Sequence, residues 1–118
     1  MKVILPLDEN KIDVCVSFGR CQYFMIHDTD SGSTEIKGNP VADAQGGAGI
    51  KSAQFIVDSK ADALITVRCG ENAAKVLNMA GIKIFKSEGI GAEHNIALLK
   101  SGKLSPLAQF HAGFHGKR

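Results

Sequence analysis

The feature that most constrains this chain is the rhythm of its second half. Asp62–Val67 is a buried-type strand run, Arg68-Cys69-Gly70 a tight turn, and Ala73, Val76, Leu77 and Ala80 a helical stripe. Gly81 stands where a helix C′ residue belongs. Ile82–Phe85 is a further short strand, Ser87–Gly91 a glycine-bearing loop, and Ala92–Lys100 a helix with Ile96 and Leu99 inward. Strand, turn, helix, strand, turn, helix is the pattern of a parallel sheet, whose right-handed crossovers put helices on the sheet faces. The first half reads differently. Lys2–Pro6 is a strand and Asp8–Lys11 a turn. Gln22–Lys37 is a β-hairpin turning at Asp30-Ser31-Gly32-Ser33, with a short, charge-flanked outer strand suited to a sheet edge. Gly38–Gly49 is a loop, and Ile50, Ala53, Ile56 and Val57 mark a helix over Ile50–Ser59. The reading is an α/β domain with five strands.

With 118 residues, 44% hydrophobic and 22% charged, one domain is the natural count. No apolar run approaches the roughly 20 residues of a membrane helix. Met1–Pro6 is too short for a signal peptide, so a cytoplasmic protein without membrane association is expected. Cys15, Cys21 and Cys69, an odd count without an export signal, read as free thiols. The net charge is +2, and from Ser101 onward Lys103, Lys117 and Arg118 occur with no acid, so 105–118 reads as a flexible basic tail beyond a 1–104 body. One tyrosine, no tryptophan and scattered lysines make a poor nucleic-acid surface.

In an open α/β sheet, ligands bind beyond the carboxyl ends of the parallel strands, here Pro6–Glu9, Arg68–Asn72 and Lys86–Gly91. Helix N-termini near those ends suit anions. Gly46-Gly47-Ala48-Gly49 opens the first helix. It matches neither a Walker loop nor the dinucleotide fingerprint, and is either an anion cradle or a flexible turn. Arg68-Cys69-Gly70 puts a thiol beside an arginine and a helix start, a setting that lowers a cysteine pKa; the plain alternative is a half-buried thiol. Cys15 and Cys21 bracket Phe18-Gly19-Arg20 at a spacing unlike a zinc knuckle. His27 lies in a strand and reads as structural. His94 opens the last helix, as a ligand or a solvated side chain. His111 and His115 lie in the tail.

The chain resembles the NifX-like, dinitrogenase iron–molybdenum-cofactor biosynthesis family over roughly Lys2 to Leu104. Four segments carry the resemblance. They are the opening strand running into Asp8-Glu9-Asn10; Phe18-Gly19-Arg20-Cys21-Gln22-Tyr23-Phe24, similar to a Phe-Gly-Arg-x-x-Tyr-Phe signature; Asn39-Pro40 with Gly47-Ala48-Gly49-Ile50; and Ala80–Ile84 with Lys100–Leu104. The resemblance implies a ribonuclease-H-like three-layer α/β/α fold, a five-stranded mixed sheet of order 3-2-1-4-5 with strand 2 antiparallel. It also implies holding or transferring an anionic iron–molybdenum–sulfur or related metal–sulfur cluster, received from a donor protein and passed to an acceptor. Arg20, Gly46, Gly47, Arg68 and Gly70 would suit the anion, and Cys69, Cys21, Cys15 and His94 are the candidate metal ligands. Ser17 stands where many members have a histidine, and only His111 and His115 remain of a histidine-rich tail.

The expected function is therefore a non-catalytic, monomeric carrier. The alternatives are a small-anion or nucleotide-binding regulatory module and a hydrolase using Cys69 with His94 as base. Two-metal nuclease chemistry needs converging acids. Lys2–Pro6 has none, Asp62 stands at the wrong end of its strand, and Asp8, Glu9 and Asp43 are loop acids.

Overall fold

Strict alternation along the first strand decides how the layers form. In β1 (Lys2–Leu7) every residue from Val3 is buried. Val3, Leu5 and Leu7 belong to one apolar cluster, and Ile4 to the other. A strand hydrophobic on both sides must be central and covered on both faces. The computed structural model, which describes residues 1–42 and 46–107, has it so.

Among the described residues β1 is followed by a 3₁₀ turn (Phe18–Arg20), β2 (Tyr23–Asp28), β3 (Thr34–Gly38), α1 (Ala48–Asp58), β4 (Ala63–Thr66), α2 (Glu71–Met79), β5 (Lys83–Lys86) and α3 (Ala92–Lys100). The sheet order is β3-β2-β1-β4-β5. β1 pairs antiparallel with β2, Leu7 opposite Tyr23, and parallel with β4, Ile4 opposite Leu64. β2 pairs antiparallel with β3 and β4 parallel with β5, so β2 alone runs against the others. This is the ribonuclease-H-like order that the family resemblance implied. Ala53, Ile56, Ala73, Ala74 and Leu77 of α1 and α2 pack with Ile4, Phe24 and Leu64 on one face. Ala92 and Ile96 of α3 pack with Val3, Leu5, Ala63 and Ile65 on the other, giving the third layer.

Most element ends shift by one or two residues from the reading, and three departures have a local cause. The first helix starts at Ala48, earlier than Ile50, because Gly47 takes a left-handed turn (φ 66°) from which the helix begins at once. The fifth strand starts at Lys83, not Ile82, because the Ile82 N–H is still spent on the Leu77 carbonyl at 3.0 Å, closing the end of α2. The folded body also passes Leu104. Lys86 N–H reaches the Ser105 carbonyl at 2.8 Å and Leu107 N–H the Ile84 carbonyl at 2.9 Å, so this segment lies along the outer edge of β5. Covering an otherwise open strand edge is a standard protection. His111, His115 and Asp43 lie outside the described residues.

Candidate functional site

The segment between β1 and β2 crosses the carboxyl end of the sheet and is tied down at three places. Val14 pairs with Leu7, Asp13 with Gly91, and Ser17 with Arg68. The 3₁₀ turn that follows packs against α1, placing Arg20 opposite the first turn of that helix. A cleft of about 710 Å³ results, in the range of small-molecule sites and larger than a single ion needs. Its walls are Ser17, Gly19 and Arg20, the start of α1 from Gly47 to Ile50, and the start of α2 from Gly70 to Ala73.

Two helix N-termini therefore open on one space. Neither N-cap residue, Gly47 or Gly70, caps its helix with a side chain, since glycine has none. The first backbone bond of α1 runs from Lys51 N–H to the Gly47 carbonyl, and that of α2 from Ala74 to Gly70, both at 2.9 Å. By helix geometry the N–H groups of 48–50 and 71–73 have no partner within their helices, and those same residues line the cleft. Two positive dipole ends and the Arg20 guanidinium make the space attractive to anions. Glu71 acts the other way: its carboxylate favours the start of α2 but repels an anionic guest.

Two smaller hollows flank the cleft. Behind Ser17 and Gly19, a hollow of about 250 Å³ is lined by Arg68, Cys69 and Gly70. On the far side of Arg20, one of about 430 Å³ is lined by Asp8, Glu9, Cys15 and Cys21. The structure thus gathers Arg20, Gly47 and Gly70 in one cleft, with Arg68 and Cys69 adjoining. Gly46 is exposed just outside the lining, and His94 is exposed in the first turn of α3 and lines none of these three hollows.

The thiols are where the sequence expectation and the structure part. Cys69 is 1% exposed, and burial pushes its pKa up to about 11 rather than down; its Sγ lies 3.6 Å from the Gly70 carbonyl. Desolvation outweighs the helix start and the arginine. Cys21 is equally buried, and burial and the nearby Cys15 push it to about 12. Burial also raises Cys15, against a backbone hydrogen bond from Ser17 that favours the thiolate. Among the described residues no three His, Cys, Asp or Glu side chains converge in a way that could hold a metal ion. Cys15, Cys21, Cys69 and His94 are not brought to one point.

Sequence reasoning placed a ligand end at Arg68–Asn72 but singled out no side of α2 beyond Gly70, so Glu71, Asn72 and Ala73 were not named as site residues, because helix-opening residues carry no chemical signature of their own. It also missed Asn39 and Ser52, buried polar residues behind the 3₁₀ turn. The Asn39-Pro40 pair was visible, but not what the side chain holds.

Comparison with known proteins places these features in a family. The family model described as dinitrogenase iron-molybdenum cofactor matches residues 1–102. An uncharacterized protein of Methanocaldococcus jannaschii is 33% identical over 107 residues, covering 88% of this chain and 89% of its own. The apo form of the orange protein from Desulfovibrio gigas superposes with a TM-score of 0.83 at 27% identity, over 91% of this chain and 92% of that one. The solution structure of a Thermotoga protein described as a candidate NifB protein gives a TM-score of 0.76 at 34% identity, covering 95% and 97%.

Proposed function

The chain belongs to the dinitrogenase iron-molybdenum cofactor family, and from that premise we propose that it is a non-catalytic carrier of an anionic metal–sulfur cluster, of the iron–molybdenum type or related. The cluster is cargo, taken from a donor protein and handed to an acceptor by a monomeric chain. The observation that carries this reading is the convergence of two helix N-termini without side-chain caps and Arg20 on one cleft. Backbone N–H groups hydrogen-bond to cluster sulfur and stabilise its negative charge. The donor set suits a cluster whose metals are already fully coordinated by sulfide: the cleft supplies charge and hydrogen bonds, while the adjoining thiol of Cys69 is buried and protonated at neutral pH. Weak, reversible holding of that kind is what a carrier requires.

The test is to prepare the protein without oxygen, offer iron plus sulfide or tetrathiomolybdate, and record bound metal, sulfide and visible absorption. Stoichiometric uptake with charge-transfer absorption, abolished by filling the cleft through Gly70→Trp, supports the carrier. Absence of uptake overturns it.

A small-anion or nucleotide-binding module is the second reading, favoured by the fact that helix N-termini serve phosphate equally well. Binding of phosphate or nucleotide without metal, and no uptake of thiometallate, would establish it. A hydrolase using Cys69 is disfavoured, since its nucleophile would be a buried thiol and His94 is not among the residues lining the hollow beside it.

A further inference from the structure

Behind the cleft lies a set of buried polar contacts that the anion site does not itself use. Ser52, fully buried in α1, donates to the Gly19 carbonyl at 3.0 Å. Asn39, 8% exposed, follows β3. Its Nδ2 donates to the Cys21 carbonyl at 2.9 Å and lies 3.4 Å from Ser52 Oγ and 3.5 Å from the Gly19 carbonyl. Its Oδ1 accepts from Val41 N–H at 3.0 Å. One carbonyl, that of Gly19, is thus held from the helix and from the loop after β3 at once. The turn is also pressed onto the helix: a Cβ on Gly19 would lie 2.9 Å from Gly49 N and 3.0 Å from Gly49 Cα. Those are backbone atoms that cannot swing aside.

Buried polar side chains are costly unless bonded, and two of them meeting on one carbonyl fix its position closely. The residue after Gly19 is Arg20, on one wall of the cleft; Gly49, in contact with Gly19, is on the opposite wall. We infer that Asn39 and Ser52 are positioning residues that lock the Arg20 turn to the start of α1, and so set the width of the cleft and the size of anion it retains. The selectivity rests on the cleft being the anion site proposed above. A small oxyanion can be satisfied by one helix N-terminus, whereas a larger thiometallate must engage both walls and alone depends on their separation.

The test compares wild type, Ser52→Ala and Gly19→Ala. The first removes the bond to the Gly19 carbonyl, and the second forces the turn off the helix without deleting a polar group. In ligand-free protein, the amide NMR signals of Arg20 and of Ala48, Gly49 and Ile50 are expected to shift together in both variants. Ser52→Ala, whose side chain is outside the cleft lining, is expected to bind tetrathiomolybdate about five-fold more weakly, the loss of roughly one hydrogen bond, while its molybdate affinity changes by less than two-fold. Folded variants with wild-type amide signals and wild-type tetrathiomolybdate affinity overturn the inference. So does an equal weakening of both anions, which would make the contacts merely structural. Wild type binding neither anion overturns the cleft reading and the selectivity with it, and the amide signals then judge the lock alone.

Discussion

At the scale of single residues, burial overrides local charge. A thiol beside an arginine and a helix start is a setting that favours thiolate, yet Cys69 is buried among apolar side chains, and burial pushes it up to about 11. Cys21, near 12, is similar. At pH 8 both are expected to resist iodoacetamide in the folded protein and to react only on unfolding. Cys15, half-buried, should be labelled first, which mass spectrometry of a time course will show. At the proposed anion site the charges are exposed instead. Arg20→Gln is expected to weaken tetrathiomolybdate binding and Glu71→Gln to tighten it, each by about two- to five-fold at low salt, since such charges contribute ~0.3–1 kcal/mol. Titrations repeated at 1 M salt should bring the three proteins together, because screening then acts within about 3 Å.

Among the elements, the helix ends carry the most transferable lesson. Among the described residues α1, α2 and α3 close with the same pair of bonds. Gly81, φ 77°, and Gly102, φ 71°, occupy the left-handed position after α2 and α3. After α1 that position is Lys60, φ 60°, with its N–H on the Val57 carbonyl. A side chain there is strained and glycine is not. Lys60→Gly is therefore expected to stabilise the fold by about 0.5–1 kcal/mol, the usual gain less the added backbone entropy of glycine, read as a higher urea midpoint at constant slope. Asn95 is the opposite case. It is fully buried, accepts from Glu88 N–H at 2.7 Å and donates to the Gly91 carbonyl at 2.8 Å, holding the loop between β5 and α3. Asn95→Ala should cost about 1–3 kcal/mol by leaving the Glu88 N–H without its acceptor, while the Gly91 carbonyl keeps the bond from the backbone N–H of residue 95 at 3.1 Å. The Gly81 stop was legible because glycine after an apolar stripe is a local signal. Lys60 and Asn95 were not, since their roles depend on partners that local pattern does not reveal.

For the molecule as a whole, pH bounds stability from both sides. His27 is buried on β2 with Nδ1 2.8 Å from Thr34 Oγ1, while Nε2 has no hydrogen-bond partner among the described residues. Burial, helped by Lys100, lowers its pKa below the ordinary 6.5. In that case the unfolded chain takes up a proton before the folded one does, so stability is intact above about 6.5 and falls as the pH drops below it. The cysteines act in the other sense. Raised above the ordinary 9.0, Cys21 and Cys69 stay protonated in the fold while the unfolded chain ionises, so stability falls as the pH rises from about 9 towards 11–12. A plot of Tm against pH is expected to be a plateau with two shoulders. His27→Gln should flatten the acid shoulder and Cys69→Ala the alkaline one. A profile unchanged by either substitution would contradict these assignments.

What the sequence determined by itself was the architecture of the described residues: five strands, the hairpin and the two parallel crossovers. Those follow from periodicity and turn chemistry, which act over a few neighbouring residues and are written locally. Arg20, Gly47 and Gly70 could be named for the same reason, being marked by their turns and by the motifs around them. Only the tertiary structure decided that these three share a cleft while His94 stands apart. It alone buried Cys69 and Cys21, put Glu71 at the cleft edge, and placed Asn39 and Ser52 on one carbonyl. Each of those outcomes depends on segments distant in the chain packing together, and on the desolvation that packing imposes. Neither is a property of any short stretch of sequence.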